Sequence, residues 1–300
     1  MKLQEMKTII KFRLSYGGNE SDYHQIDLYD VSQALEGFQR SIALTMHLVL
    51  NGEIITQAPA LKGAKILATP AKEGSWEIIA TVLAGIYAIG TAPKDTPLGH
   101  IVHSVYDYVV SQSLGVHVDY EKSIGQIVEE YNKENEKKLQ IEQHKVDSLI
   151  EKCTSAITEI HRPIFKTKTA KGAKIISELP SKKQQIGPEF NIETFEYIYE
   201  EFTEKTPIVI KGRISSYNSN TFKGRVYVAA EGHPIAFELS EKCRSDSVIS
   251  LITASLSANA VKDYNNQSST VYCRSFRNIS RSGRLKSYKI IQVSHEVIEQ

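Results

Sequence analysis

The sequence predicts an α+β fold with two domains. Its 300 residues exceed the size of one typical domain. Apolar patterns of strand and helix period follow one another in the order β-β-α-β-β-α, which is typical of an antiparallel sheet covered by helices. Further along, five short strand patterns around one helix predict a small, partly open β-barrel of the OB or SH3-like kind. A long helical connector is expected between the N-terminal sheet domain and this C-terminal β-barrel-like domain.

The N-terminal α+β domain is predicted to span residues 1–123. Apolar side chains alternate over residues 9–16, and Gly17, Gly18 and Asn19 supply a turn after this first strand. Asp30 can cap the first helix by accepting hydrogen bonds from its free amides. The predicted elements are, in chain order, strands at 9–16 and 23–28, a helix at 30–50, strands at 64–69 and 75–83, and a helix at 98–114.

Residues 124–162 are predicted to form the helical connector, as one helix or as two in series. Apolar residues recur at helical spacing from Val146 to Ile160, and the only glycine is Gly125. A single apolar stripe of this length permits a homo-oligomer through the connector. Residues 163–188 are predicted to be a basic linker, because lysines, prolines and glycines crowd that stretch.

The C-terminal domain is predicted to span residues 189–300. It begins with an acidic helix at 192–203, whose aromatic stripe indicates a buried face. Polar, glycine-containing turns separate the strands that follow. The predicted elements are strands at 208–215, 222–228 and 235–239, a helix at 247–262, and a strand pair at 270–277 and 285–293.

The net charge of +1 hides a strongly basic module. Residues 208–294 carry a net charge of +8, whereas residues 189–207 carry a net charge of −5. Such a charge distribution is an argument about binding partners and not about fold. The basic module is therefore the strongest functional signal in the sequence.

Cations and aromatic residues interleave along the strands of this module. Cations neutralise phosphates and aromatic faces stack bases, so the mixture predicts a surface that captures nucleic acid or another polyanion. The candidate binding residues are Lys211, Arg213, Lys223, Arg225, Arg274, Arg277, Arg281, Arg284 and Lys286, with Tyr217 and Phe222 as stacking residues.

Other interpretations of the basic module stay open. The same patch could dock on an acidic protein partner, as a protein-interaction module would. The aromatic residues could instead belong to the core, with the cations solvated or paired to the acidic helix. If that helix masks the patch, deleting residues 189–207 would strengthen polyanion binding.

No catalytic motif stands out, so we expect a binding protein rather than an enzyme, without a cofactor. The sequence contains neither a P-loop, nor a dinucleotide-binding G-x-G-x-x-G turn, nor a G-x-S-x-G nucleophile elbow. His100 and His103 are three residues apart on a predicted helix, with His117 as a possible third ligand for a metal. A catalytic metal normally needs three protein ligands, and no cysteine or carboxylate clusters with these histidines, so no metal site is assigned.

Cysteine usage predicts a cytoplasmic location. Cys153, Cys243 and Cys273 are odd in number and far apart, which fits a reducing compartment better than a disulfide framework. The most apolar stretch, residues 78–92, is shorter than the roughly 20 residues that a spanning helix needs. We therefore expect no membrane contact.

Several short motifs resemble an uncharacterised two-domain family of bacterial and phage-associated proteins, known mainly as paired domains of unknown function. The motifs are Asn51-Gly-Glu, the stretch from Pro70 to Glu77 that contains Gly-Ser-Trp-Glu, Gly212-Arg-Ile-Ser-Ser-Tyr-Asn218 with Thr221 and Gly224-Arg225, and Arg281-Ser-Gly-Arg-Leu285. The resemblance covers most of both domains and implies no catalytic residues. It implies a mobile-element context, and with it a role in phage defence or counter-defence.

Overall fold

The chain forms two compact units. The structure, a computed structural model, describes residues 6–55, 57–70, 76–85, 97–135, 138–179, 182–199, 201–280 and 283–298. The units comprise Met1–Tyr199, called the N-terminal unit below, and Glu200–Gln300, called the barrel unit. The predicted α+β class is confirmed, since the first unit holds an antiparallel sheet with helices and the second a small β-barrel.

The helices and strands of the N-terminal unit largely follow the predicted order. They are β1 (Met6–Gly17), α1 (Leu28–Asn51), β2 (Ala64–Pro70), β3 (Trp76–Gly85), α2 (Pro97–Ser113), a π-helical turn (Glu121–Gly125), α3 (Gln126–Glu134), α4 (Gln143–Glu159), α5 (Arg162–Phe165), β4 (Gly172–Glu178), β5 (Lys183–Phe190) and α6 (Ile192–Tyr199).

A five-stranded antiparallel sheet organises this unit, in the order β2-β3-β1-β4-β5. The alternation predicted for β1 is present: Phe12, Leu14 and Tyr16 are buried, whereas Lys11 is exposed. The buried side of the sheet shares one apolar core with α1, α2 and α4. Period-two burial on one side is what a sheet covered by helices on one face requires.

The predicted strand at 23–28 is wrong. A short 3₁₀ helix at Asn19–Tyr23 stands before α1 instead. Gly18, Asn19 and His24 have left-handed backbone conformations, with φ angles of 83°, 57° and 62°. An extended strand contains no such angles, so the chain turns here rather than adding a strand.

The cap of α1 lies three residues before the predicted one. The carboxylate of Asp27 accepts a hydrogen bond from the backbone amide of Asp30, with N···O 2.9 Å, so Asp27 is the capping residue. Asp30 is itself buried and forms an ion pair with Arg162 at 3.0 Å. This pair ties α1 to a residue that the sequence had assigned to the connector.

Residues 124–162 are not a connector but part of the N-terminal core. The apolar stripe of α4 is buried in the cluster that also contains α1 and α2. The stripe comprises Val146, Leu149, Ile150, Cys153 and Ile157. Because its own unit covers it, this stripe cannot serve as the homo-oligomer contact that the sequence predicted.

The basic linker predicted at 163–188 is likewise wrong. Strands β4 and β5 occupy half of that stretch and complete the N-terminal sheet. Pro188 can lie within β5 because β5 is an edge strand, where a missing amide breaks no ladder. The boundary between the two units therefore falls between Tyr199 and Glu200 instead of before residue 189.

The predicted acidic helix at 192–203 is divided between the two units. Helix α6 ends at Tyr199 and belongs to the N-terminal unit, where Phe195 stacks on Phe165 with 4.0 Å between ring centroids. Phe202 and Thr203 form a separate short strand, β6, in the barrel unit.

All the other elements predicted for the C-terminal domain are present. The barrel unit contains β6 (Phe202–Thr203), β7 (Ile208–Asn218), β8 (Lys223–Val228), β9 (His233–Leu239), α7 (Asp246–Ala260), β10 (Val271–Ile279) and β11 (Leu285–Ser294).

Strands β7 to β11 close into a five-stranded barrel. Strand β7 pairs with β8 and β10, β8 with β9, and β10 with β11, all antiparallel, while β9 and β11 pair in parallel and complete the ring. Helix α7 connects the third and fourth of these strands. This strand order with its inserted helix is that of an OB-fold, and the barrel is closed where the sequence predicted a partly open one.

The described part of the chain contains no helix that is both long enough and apolar enough to cross a membrane.

Candidate nucleic-acid interface

Two of the predicted binding cations lie on the outside of the barrel among tyrosines. In β7, Ile210, Gly212 and Ile214 are buried, so Lys211 and Arg213 project outward by the two-residue period of a strand. Cross-strand pairing then places Tyr272 of β10 beside Lys211 and Tyr227 of β8 beside Arg213. We call the set Lys211, Arg213, Tyr227, Tyr264 and Tyr272 the tyrosine–cation face.

Both cations of this face contact aromatic rings. The guanidinium carbon of Arg213 lies 4.3 Å from the ring centroid of Tyr264 and 5.2 Å from that of Tyr227. The ammonium of Lys211 lies 5.8 Å from the ring centroid of Tyr272. Neither cation pairs with a carboxylate of the described residues, and within that part of the chain both charges are stabilised by cation–π contacts.

The three tyrosines of this face are not among the candidate binding residues of the sequence analysis. Tyr264 is the hardest of them to predict. It lies between α7 and β10, and 51% of its side chain is exposed. Its position follows Lys262, whose φ of 57° turns the chain back after the helix. Residues 261–267 have the composition of a polar turn. The sequence of such a turn does not indicate which strand its tyrosine contacts.

The cations around β8 and β9 are engaged with the protein. Lys223 and Arg244 both pair with the carboxylate of Glu238, at 3.9 Å and 3.6 Å. Arg225 donates a hydrogen bond from Nη1 to the carbonyl oxygen of Pro234 at 3.4 Å. This side of the barrel therefore carries less uncompensated charge than the sequence indicates.

Tyr217 and Phe222, the predicted stacking residues, pack against the barrel itself. The ring of Tyr217 lies parallel to that of buried Phe237, with 6.4 Å between centroids, and burial raises the pKa of Tyr217. Phe222 is half-buried and lies under the guanidinium of Arg244, at 4.6 Å. Their aromatic faces are used for internal packing, whereas Tyr264 offers an exposed ring.

The remaining predicted cations lie on β10, β11 and the turn between them. Arg277 pairs with Glu204 at 3.7 Å, and Lys286 pairs with Glu201 at 3.5 Å. Arg274 is half-buried opposite Val209 and Gln292, and Arg284 is exposed. Arg281 lies outside the described residues. The ten predicted residues that the structure describes thus lie on different strands and turns of the barrel, and several of them already contact protein groups.

The histidines considered for a metal do not form a ligand cluster. The Nδ1 atom of His103 is within 2.8 Å of the hydroxyl of Ser177, and burial lowers the pKa of His103. His100 is exposed. Nowhere in the described ranges do three histidine, cysteine or carboxylate side chains gather to hold a metal ion.

The thiols lack the environment of a nucleophile. All three cysteines are free and buried, and burial raises the pKa of Cys153 and of Cys273 to about 12. A reactive thiol needs a lowered pKa and solvent access, and these cysteines have neither.

Two family models match the chain side by side. A domain of unknown function, DUF7946, matches residues 12–199, and a family of unknown function, DUF7947, matches residues 206–294. The junction between the two matches coincides with the boundary between the two structural units. No curated protein and no solved structure matches the chain. The resemblance to a two-domain family of unknown function is thereby confirmed.

Proposed function

The chain belongs to the DUF7946 family of unknown function, and we propose that it binds single-stranded nucleic acid through the tyrosine–cation face of its barrel. The observation that carries this proposal is the position of Arg213 between the rings of Tyr227 and Tyr264, without a carboxylate partner among the described residues. Lys211 of the same strand, beside Tyr272 of β10, repeats the combination.

The chemistry of this face matches that of a single strand. Lys211 and Arg213 would neutralise phosphates, and the tyrosine rings would stack on bases. Stacking needs bases that are already unpaired, which favours single strands over duplexes. Barrels of OB-fold topology bind oligonucleotides on the face of their second and third strands, which are β8 and β9 here. The tyrosine–cation face lies on β7, β8 and β10 instead, so the proposal rests on its side chains and not on the topology.

An acidic protein partner is the alternative, and the tyrosines argue against it. A carboxylate-rich surface needs cations but gains little from stacking. The alternative therefore predicts that replacing the tyrosines leaves affinity almost unchanged.

A cytoplasmic location stays a prediction, based on the odd number and wide spacing of the cysteines. The role in phage defence or counter-defence implied by the resemblance stays a prediction. It would be tested by comparing phage plating on host cells with and without the gene.

The binding proposal is tested by fluorescence anisotropy of the full-length protein with labelled single-stranded DNA, single-stranded RNA and duplex DNA, at low and at physiological salt. We expect single strands to bind more tightly than duplex. The double variant Lys211→Ala/Arg213→Ala should flatten the slope of log K against log salt by about 1.4, which corresponds to two phosphate contacts on a single strand.

The control variant is Lys7→Ala/Lys65→Ala, which removes two exposed cations from the N-terminal unit. It loses the same net charge and should leave the slope unchanged. Absence of binding at low salt, or equal effects of the two double variants, would contradict the proposal. Binding of polyglutamate without binding of nucleic acid would favour the acidic protein partner.

A further inference from the structure

We propose that Arg277 and Lys286 form a second phosphate-binding site on the barrel unit, and that strand β6 occupies this site with the carboxylates of Glu201 and Glu204. The two carboxylates act as an internal substitute for the phosphates of a nucleic-acid strand. This inference rests on the proposed function, because it assigns a second contact for the same ligand.

The contacts of β6 place its acidic residues on these cations. Glu204 Oε1 lies 3.7 Å from Arg277 Nη1, and Glu201 Oε2 lies 3.5 Å from Lys286 Nζ. The backbone of β6 continues the sheet along β10, and the amide of Glu204 donates a hydrogen bond to the carbonyl oxygen of Arg277 at 2.9 Å. Two acidic residues thus flank a two-residue strand that is bound to the sheet edge.

The two ion pairs of this occupant are long, although its backbone pairs with β10 and the Thr203 hydroxyl donates a hydrogen bond to Asn278 Oδ1 at 2.8 Å. Both ion-pair distances exceed the roughly 2.7–2.9 Å of a charge-assisted hydrogen bond. Phe202 and Thr203 are both exposed, and the strand that they form is only two residues long. A backbone phosphodiester, like a carboxylate, carries one negative charge on two oxygens, so it can accept the same contacts from Arg277 and Lys286.

Lys286 requires an anionic partner in either state. Only 14% of its side chain is exposed. Burial lowers the pKa of Lys286, and Glu201 partly offsets that change by stabilising the ammonium. A phosphate in the place of Glu201 would stabilise the ammonium at this depth in the same way.

The structure also identifies which acidic residues act as the occupant. Helix α6 carries much of the acidic segment at 189–207, yet it belongs to the N-terminal unit and packs there through Phe195. Deleting the whole segment would damage the core of that unit. Glu201 and Glu204 can instead be replaced singly, with the backbone pairing of β6 left in place.

The test compares the full-length protein with Glu201→Gln/Glu204→Gln in the anisotropy assay with labelled single-stranded DNA. Glu241→Gln/Glu296→Gln is the matched control, since it makes the same charge change at two exposed residues for which the structure gives no ion pair. We expect the first variant to bind roughly three- to tenfold more tightly than the control, as expected when two surface ion pairs no longer compete. Its salt slope should steepen by about 1.4 relative to the control.

Adding Arg277→Ala and Lys286→Ala to the first variant should abolish the gain. Equal affinities and slopes for the two glutamine variants would overturn the inference while leaving the proposed function intact, provided that the unaltered protein binds. A gain that survives removal of Arg277 and Lys286 would also overturn it. Binding by Glu201→Gln/Glu204→Gln alone would support the inference and show that the tyrosine–cation face is insufficient. Absence of binding in every variant would overturn both.

Discussion

The contact of Arg213 with two tyrosines predicts how the barrel unit responds to replacement of this arginine by lysine. The guanidinium carbon lies 4.3 Å and 5.2 Å from the two ring centroids. A planar guanidinium can lie flat on aromatic faces, whereas the compact ammonium of lysine cannot do so on two rings at once. Arg213→Lys therefore keeps the charge and removes most of the stacking.

The magnitude follows from the number of contacts. Each cation–π contact at a largely exposed position contributes roughly 0.5–1 kcal/mol. The two contacts of Arg213 together stabilise the barrel by about 1–2 kcal/mol, and a lysine at this position would keep part of one contact. We expect Arg213→Lys to lower the free energy of opening of β7 and β8 by about 1 kcal/mol, which is a factor of about five in the opening constant.

The assay is native-state hydrogen exchange of the full-length protein, read on peptides that contain β7 and β8. This readout reports on the barrel unit alone, whereas global denaturation would mix the two units. Tyr264→Leu and the double variant complete a mutant cycle, and the coupling energy between Arg213 and Tyr264 should be roughly 0.5–1 kcal/mol. In nucleic-acid binding, Arg213→Lys should keep the salt slope and lower the affinity.

Two results would refute this reasoning. Exchange rates in Arg213→Lys equal to those of the unaltered protein would mean that the ring contacts do not stabilise the barrel. Strictly additive effects of Arg213→Lys and Tyr264→Leu would mean that the two side chains do not interact in solution.

Three further predictions concern pH, packing and thiol reactivity. Burial lowers the pKa of His161 to about 4, so near pH 6.5 the unfolded chain binds a proton that the folded chain does not bind. The free energy of unfolding should therefore fall by up to about 3 kcal/mol between pH 6.5 and pH 4. Urea titrations of His161→Gln should show a smaller fall over the same pH range. In Gly224→Ala the new methyl group would collide with the carbonyl oxygen of Ser216 and lie 2.7 Å from the Phe237 ring. Thermal denaturation should show that the free energy of unfolding is lower by roughly 1–3 kcal/mol. An unchanged midpoint would mean that the barrel accommodates the methyl group without loss of stability. Iodoacetamide should label the three cysteines only after denaturation, as read by mass spectrometry, and rapid labelling of the native protein would contradict their burial.

The barrel could be predicted from sequence because its signals are local. Each of its five strands shows period-two burial between polar turns, as in β7, and such a pattern needs no knowledge of the partner strand. Closure of the ring depends on the parallel pairing of β9 with β11, which lies outside any local pattern. For that reason the barrel was predicted but not its closure.

In the N-terminal unit, by contrast, strands β4 and β5 could not be predicted from local sequence patterns. Strand β4 pairs with β1 across more than 150 residues of chain, and β5 joins the sheet only through β4. Gly172, Gly187 and Pro188 look like linker residues locally. A proline is tolerated at 188 because β5 is an edge strand and its register with β4 shifts between Ile186 and Phe190. The helical stripe of α4 was recognised, but periodicity does not say whether such a stripe is buried in its own domain or in a dimer.

The sequence predicted which types of residue form the candidate site, but not how these residues are arranged. Lys211 and Arg213 share a strand face, which the two-residue period alone implies. Which tyrosines reach them depends on strand register for Tyr227 and Tyr272, and on the course of a loop for Tyr264. The partners of Arg277 and Lys286 come from strand β6, which the sequence analysis had read as the end of a helix.

Photochemical cross-linking of the full-length protein to an iodouracil-containing single strand tests the central claim most directly. Iodouracil reacts with aromatic side chains that stack on it, so each modified residue of the protein is one that contacts a base. The account predicts cross-links at Tyr227, Tyr264 and Tyr272, identified by mass spectrometry and suppressed by unlabelled single strand. Cross-links confined to exposed tyrosines of the N-terminal unit, such as Tyr23 and Tyr29, would contradict it.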